Sequence, residues 1–445
     1  MKLALSSLLL VSSPLSFAAL NHNAQQEPLG TIVGLGAESG LAPDDASLGT
    51  IENDTPSYRA ELLDLHKSLV SISSTSRNET TVGSFLRSYL ASHGFTTQIQ
   101  SLADGKLVSS SGDNFLAGKA TTGGTHRFNI IAWPSSVKKS TGRVLLTSHI
   151  DVVPPHIPYW ISDEAPTSKT RIGGRGSVDA KGSVAAQVIA MQELLASNAI
   201  DPSQVALVYV VGEEINGDGM EAFGHAINAN TIEFAAESAI FGEPTRGKLA
   251  CGHKGGLFCK LYAHGKAGHS GYPWLGKSAN QALVLALAKI ATVDLGSSDK
   301  YGNTTVNIGR IDGGVAANVI PDKAMADLGI RVAIGPTQTG GEIVKQRVLD
   351  VLASVDDELE LVCSAGPYGV VECNCDVDGF DTTIENYGTD IPHLRVNQTN
   401  YLYGPGSIFV AHGDHEELTV SDLEEAVEGF KKLVIHALDE STPSL

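Results

Sequence analysis

Val144-Leu145-Leu146-Thr147-Ser148-His149-Ile150-Asp151-Val152-Val153-Pro154 is the stretch whose reading decides the fold. Its first five residues form a short apolar run of the kind that suits a strand covered on both faces. Similar runs stand at Phe128 to Trp133 and Val205 to Val211, and an apolar helix over Val184 to Leu195 separates the last two of the three. Strands that alternate with helices predict a mostly parallel α/β sheet. Working toward the amino terminus, Tyr58 to Val70 (Leu62, Leu65, Leu69) and Val82 to Ala91 (Phe85, Leu86, Leu90) carry apolar residues at helical spacing. Toward the other end, Ile408 to Ala411 reads as a strand. There Ser421-Asp422-Leu423-Glu424 reads as a capping box opening a helix through Leu438.

Between these regions the style changes. Leu257 to His264, Ala279 to Ile290, Thr304 to Ile311, Ala324 to Ile334, Gly341 to Leu352 and Glu358 to Cys363 read strand, helix, strand, strand, helix, strand. That is the ferredoxin-like βαββαβ order, a unit able to bury its own core. The expected organisation is therefore a discontinuous α/β domain, residues 57–254 and 364–440, interrupted by a smaller inserted domain at 255–363.

The 445 residues are 42% hydrophobic and 18% charged, as in globular proteins. Acids outnumber bases by 50 to 31, giving a formal charge of -19. Such a chain has no general affinity for phosphate backbones or anionic lipid, so neither nucleic acid nor membrane is expected as a partner. Residues 1–18 carry Lys2, an apolar run from Leu3 to Leu15 and a small-x-small pattern at Ser16-Phe17-Ala18, which predicts a secretory signal peptide and an extracellular product. Residues 19–55 lack periodicity and read as a flexible leader or pro-segment. Five cysteines, Cys251, Cys259, Cys363, Cys373 and Cys375, allow at most two bridges and one spare thiol. Sequons at Asn53, Asn78, Asn303 and Asn397 are glycosylation candidates in an exported chain.

The chemistry-bearing residues come in five short segments. His149 and Asp151 lie two apart on extended chain, so their side chains share one side, and a carboxylate there can orient an imidazole that binds metal. Gly174-Arg175-Gly176-Ser177-Val178-Asp179-Ala180-Lys181-Gly182 is a glycine-rich loop delivering one carboxylate just before a helix. Gly212-Glu213-Glu214 puts two acids at a strand end, Gly242-Glu243-Pro244-Thr245 adds another, and His412 comes near the end. No segment is decisive alone: H-x-D recurs at His412-Gly413-Asp414, and paired acids recur at Glu416-Glu417 and Glu424-Glu425. Position adds weight, because His149 and the Glu213-Glu214 pair follow the carboxyl ends of inferred parallel strands, where open α/β sheets assemble their sites. Two His and three carboxylates suit a pair of Zn²⁺ ions sharing a bridging carboxylate, with one acid left for proton transfer. His415-Glu416 begins like H-E-x-x-H, but Thr419 stands where the second His belongs, and no G-x-S-x-G elbow is present.

The ordered set, H-x-D-V-V-P, G-R-G-x-x-D-x-K-G, G-E-E, G-E-P-T and A-H, resembles the dizinc metallopeptidases that include acetylornithine deacetylase, succinyl-diaminopimelate desuccinylase, aminoacylase and glutamate-type carboxypeptidases. The likeness covers about residues 57–440. It implies a zinc-exopeptidase catalytic domain with an inserted lid and dimerisation domain. By that likeness, His149 and Glu243 bind one zinc, Glu214 and His412 the other, and Asp179 bridges both, with Co²⁺ or Mn²⁺ as alternative metals. Asp151 orients His149, and Glu213 accepts a proton from the water that becomes a metal-bridging hydroxide. Where the family often has a second acid after its bridging Asp, this chain has Ala180, which leaves open whether the family's cis peptide persists. The resemblance further implies that His269, in Gly268-His269-Ser270-Gly271-Tyr272-Pro273, stabilises the oxyanion in the opposite subunit's site, so a homodimer is expected. Asn318, Arg331 and the Gly404-Pro405-Gly406 loop match positions that hold the substrate carboxylate.

The signal segment makes the secreted carboxypeptidase-like members the nearest parallel. The expected activity is hydrolysis of the amide next to a C-terminal free carboxylate in small peptides. An N-acyl amino acid deacylase uses the same metal core and differs only in its pocket. An inactive relative serving as a binding protein is the alternative of another class.

Overall fold

The computed structural model describes residues 55–102, 107–109, 126–364 and 366–440, with backbone alone for 107–109. The expected signal peptide, the leader up to residue 54 and the Asn53 sequon lie outside these residues.

The larger sheet runs, edge to edge, Leu107–Ser109, Phe95–Ser101, Phe128–Pro134, Val205–Val210, Val144–His149, Ser238–Gly242, Thr399–Tyr403, Leu249–His253 and Val371–Glu372, with Thr382–Glu385 also paired to Leu249–His253. Its middle four strands are mutually parallel, and the strands outside them pair mostly antiparallel. Every residue of Val144–His149 and Val205–Val210 is buried, which explains their unbroken apolar sequence: both faces of the sheet are covered. One face packs on the helices Arg59–Ser71, Thr80–Ser92, Lys181–Ala196 and Val420–Glu440. The other packs on Asp218–Asn228 and Ile391–Leu394.

Lys181–Ala196 is buried nearly all round because it lies between the sheet and two other helices. Its first residue enters this core as an ammonium, with Lys181 Nζ donating to the carbonyls of Leu69 and Ile72 at 2.9 Å each. These are carbonyls at the end of Arg59–Ser71, where the regular i+4 donors run out and Leu69 is otherwise met, among the described residues, only by the Ile72 N–H at 3.3 Å.

The second sheet is antiparallel, in the order Thr305–Gly313, Lys323–Val332, Gly255–His264, Glu360–Cys363. Helices Ala279–Ile290 and Gly340–Ala353 cover it and close a separate apolar core around Leu257, Leu261, Leu283, Leu328 and Val348. Fold class and inserted ferredoxin-like order match the reading of the sequence. Cys259 faces Cys363 across neighbouring strands and is bonded to it, while Cys251 is bonded to Cys375, leaving Cys373 as the free thiol.

Two local expectations change. Thr399–Tyr403 is the carboxyl-terminal strand of the parallel set, and Ile408 to Ala411 forms a turn in which Phe409 is 78% exposed under the Arg246 guanidinium. The capping box that opens the last helix is Thr419 with Asp422, two residues before the expected pair: Thr419 N–H donates to Asp422 Oδ2 at 2.8 Å and Asp422 N–H to Thr419 Oγ1 at 3.2 Å.

Candidate metal centre

The three central strands of the parallel set end at one place. His149 is the last residue of its strand, Glu213 and Glu214 lie just beyond Val205–Val210, and Glu243 follows Ser238–Gly242. Asp179 comes from the turn before Lys181–Ala196, and His412 from the loop after Thr399–Tyr403. The sheet thus collects these side chains at its carboxyl edge, as open α/β sheets do.

His149 Nε2 is 3.1 Å from Asp179 Oδ1 and 3.8 Å from Glu243 Oε1. His412 Nε2 is 3.3 Å from Asp179 Oδ2 and 3.1 Å from Glu214 Oε2. Asp179 therefore turns one oxygen toward each imidazole, with Glu243 on one side and Glu214 on the other. One ligand atom from each of His149, Asp179 and Glu214 lies within 4.8 Å of the others. The structure brings all five candidate residues together, His149 beside Asp179 and Glu243 and His412 beside Asp179 and Glu214. His412 adopts φ +63°, a left-handed conformation unfavourable for a residue with a Cβ, and such positions concentrate at functional sites.

Charge is concentrated beyond what two imidazoles balance. Burial pushes Glu243 up to about 7, against the pull of His149. It also raises Glu214, and it raises Glu213 well above the usual carboxylate range. Burial alone would lower the pKa of His149, but Glu243 and its hydrogen bond to Asp179 lift it well above its ordinary value. Hydrogen bonds to Asp179 and Glu214 raise His412 to about 10. A mostly buried set of nitrogen and oxygen donors, with acid in excess and every imidazole Nε2 aimed at carboxylates, fits divalent cations of the zinc type.

The surrounding hydrogen bonds fix these groups. Asp151 was expected to steer His149 through its carboxylate. Here its backbone carbonyl accepts from His149 Nδ1 at 2.9 Å, and its Oδ1 stands 3.7 Å from that nitrogen. The carboxylate itself accepts from the backbone N–H groups of Gly212 (2.9 Å), Glu213 (3.2 Å) and Glu214 (3.3 Å), and from Ser76 Oγ (2.7 Å). Asp151 thereby ties the histidine to the acid pair. The Asp179–Ala180 peptide is cis.

Some residues that hold the site carry no obvious mark in the sequence. Glu416 Oε1 accepts from the N–H groups of Val178 (3.0 Å) and Asp179 (3.1 Å), and its other oxygen receives Arg175 Nη1 at 2.7 Å. Arg127 donates to both Glu79 and Asp218 and so fastens the start of Asp218–Asn228 behind the acid pair. Asp390 is buried, its Oδ1 has no partner among the described residues, and burial raises its pKa well above the usual range. Tyr387 donates to the Pro244 carbonyl at 3.2 Å, next to Glu243.

The other sequence-predicted residues lie around this cluster or away from it. Gly404 packs on Glu243: a Cβ there would meet the Glu243 carbonyl at 2.5 Å. Gly406 has φ +72° and would press a side chain on Val178 at 2.9 Å. Arg331 lies on the Lys323–Val332 strand, half-buried beside Phe258. His269 and Asn318 are exposed. His269 Nδ1 accepts from Gly271 N–H at 3.1 Å and its ring meets Tyr272 edge-on. It pairs with Val319 across a short ladder, and among the described residues no hydrogen bond or ring contact joins it to the cluster. Asn78, Asn303 and Asn397 are all exposed.

Residues 251–358 match the peptidase dimerisation domain model of the M20 family. A peptidase M20 domain-containing protein of Sordaria macrospora is 54% identical over 398 residues, covering 87% of each chain. A probable carboxypeptidase of Neosartorya fischeri is 44% identical over 464 residues, covering 98% of this chain and 99% of its own. Among solved structures, an M20 family metallo-carboxypeptidase of Sulfolobus solfataricus matches with a TM-score of 0.60 at 17% identity, covering 85% of this chain and 99% of that one. With relatives aligned almost end to end on this cluster-bearing fold, the chain belongs to the M20 family of metallopeptidases and is a metal-dependent hydrolase.

Proposed function

We propose that the protein is a secreted carboxypeptidase or dipeptidase that uses two Zn²⁺ ions to hydrolyse the amide preceding a C-terminal residue with a free carboxylate. The observation that carries this reading is the convergence of His149, Asp179, Glu214, Glu243 and His412, with Glu213 beside them as the acid left outside the ligand pairs. Relatives named probable carboxypeptidase support the substrate class. His149 and Glu243 would hold one ion and Glu214 and His412 the other, with Asp179 shared between them. When bound, such a pair of cations polarises the scissile carbonyl and lowers the pKa of an attacking water.

The chain's own groups do the rest. Glu213 Oε takes the proton of the attacking water and passes it to the leaving amine, a task open to it because its lone pairs are not committed to metal. Burial raises the proton affinity of its carboxylate, which helps it accept that proton. Asp151 keeps Glu213 and His149 in register through the 212–214 backbone. Arg331, with Asn318 and the Gly404–Gly406 loop, receives the substrate carboxylate, which suits a guanidinium fork. His269 acts from the opposite subunit of a homodimer to hold the oxyanion, a reading supported by the dimerisation-domain match. Export follows from residues 1–18, and glycans at Asn78, Asn303 and Asn397 follow from export.

The test is a panel of C-terminally varied dipeptides set against N-acyl amino acids, run on one sample whose metal content is measured. Cleavage of the peptides, lost on chelation and restored by Zn²⁺ at two ions per chain, is the expected result. Preference for the N-acyl series would make the protein a deacylase on the same metal core. No metal-dependent hydrolysis of either series would leave only a binding role.

A further inference from the structure

Arg331 has no carboxylate partner among the described residues, and its guanidinium lies over the Phe258 ring. Its direct partner across the ladder is Gly256. A Cβ at Gly256 would meet the ring of Tyr368 at 3.2 Å and that of Phe258 at 3.3 Å, so the missing side chain opens the space that Tyr368 fills. Tyr368 is anchored there by its own backbone N–H, which donates to the Gly256 carbonyl at 3.1 Å. The far end of the ring is fixed by a second glycine. A Cβ at Gly388 would lie 2.2 Å from the Tyr368 hydroxyl and 3.2 Å from Arg331 Nη1, so the two groups converge on one point beside the Gly388 backbone. That hydroxyl has no hydrogen-bond partner among the described residues.

Burial keeps the Tyr368 pKa above its ordinary value despite the nearby Arg331, and the charges of Glu213 and Asp390 reinforce this. The hydroxyl therefore keeps its proton and is available as a donor beside Arg331. Arg331, Glu213 and Asp390 are the charged groups that act on this hydroxyl.

We propose that Tyr368 is a specificity-determining residue: its hydroxyl donates to the substrate's C-terminal carboxylate alongside Arg331, so that the enzyme selects free acids over C-terminal amides. The inference rests on the reading of the site given under Proposed function and adds to it the residue that makes the carboxylate subsite two-sided. Arg alone is a charge on a flexible stem. A phenol held between two glycines adds a fixed direction.

The experiment compares wild type, Tyr368→Phe and Gly388→Ala on a dipeptide and on the same dipeptide amidated at its C-terminus. Tyr368→Phe should raise KM for the free acid about tenfold, the effect of losing one hydrogen bond to a charged group. It should change kcat less than about threefold and leave the amide unaffected. Gly388→Ala keeps the phenol but pushes its hydroxyl aside, so it should give the same KM effect, and the double variant should add little to either. Unchanged KM for the acid in Tyr368→Phe, or equal losses on acid and amide, overturns the proposal. A wild type that cleaves neither peptide overturns the proposed function instead, so the two failures are separable.

Discussion

Arg175 and Glu416 form an ion pair at 2.7 Å with side chains 1% and 0% exposed, and they join the two segments that carry Asp179 and His412. Glu416 accepts the Asp179 N–H, and Arg175 Nη2 lies 3.4 Å from the His412 carbonyl. A buried pair stabilises little in net terms, but removing one partner strands the other charge and costs about 3–5 kcal/mol. Glu416→Gln should therefore lower the denaturant midpoint and weaken metal binding, since both imidazole and carboxylate lose their support. Glu417→Gln, whose partner Arg171 is 58% exposed, should change stability by less than about 1 kcal/mol. Equal stability and zinc affinity in Glu416→Gln and wild type would show that the pair does not hold the ligands.

That pair also marks what the sequence could and could not disclose. His149, Glu213 and Glu214 were legible because each sits directly after a short apolar run, so strand and candidate ligand are read together; Glu243 was marked by its motif alone, since the Ser238–Gly242 strand before it was not read. Arg175 and Glu416 are separated by 241 residues, and Glu416 looks like one more surface acid beside Glu417 until the fold buries it. The Thr399–Tyr403 strand was hidden for the opposite reason: its polar start, exposed Thr399 and half-buried Asn400, masks the buried run Tyr401 to Tyr403. Ile408 to Ala411 looked like a strand by composition alone, but the chain must turn there to bring His412 to Asp179. Tyr368 and Asp390 gave no signal, because their meaning depends on glycines and charges from other segments.

Acid should destabilise the protein through two buried histidines that lie outside the candidate ligand set. His66 Nε2 contacts the Ser177 carbonyl at 2.9 Å, while its Nδ1 is buried without a partner among the described residues. His253 is similarly enclosed, bonded to the Lys254 carbonyl and Thr389 Oγ1. Burial lowers each pKa to about 4. The unfolded chain takes up protons below about 6.5 while the folded one does not, so stability is full above that pH and declines as pH falls toward 4. Each histidine contributes about 3 kcal/mol over the interval. In metal-free protein, His66→Gln should remove roughly half of this slope in denaturation measured from pH 7 to 4.5; an unaltered slope would rule His66 out as its source.

Asp151 bonds three successive backbone N–H groups of the Gly212 to Glu214 turn. Asp151→Asn keeps the shape but replaces one acceptor oxygen with an N–H₂ group, which must face a donor whichever way the amide turns. The expected loss is 10–100-fold in metal affinity, the usual effect of disturbing groups that orient ligands. Competition with a chromophoric chelator measures it directly. Wild-type affinity in this variant would mean that the backbone carbonyl of residue 151 suffices to hold His149.

Glu213→Gln separates binding from proton transfer. The substitution preserves the side-chain volume, and the N–H that Asp151 fixes belongs to the backbone, so the turn should stay in place. It removes one negative charge from a crowded set, and Glu213 is pushed up in pKa by burial together with Glu243, Asp390 and Glu214, so the folded state should be no less stable for the change. The five ligand groups remain, and zinc stoichiometry should equal that of wild type. An amide cannot accept the proton of the attacking water, so kcat should fall by about 10²–10⁴-fold, the range general acid–base catalysis supplies. KM should move little, because the residues that hold the substrate are elsewhere. Loss of zinc together with activity would instead make Glu213 a ligand, and turnover within about threefold of wild type would remove it from the chemistry altogether.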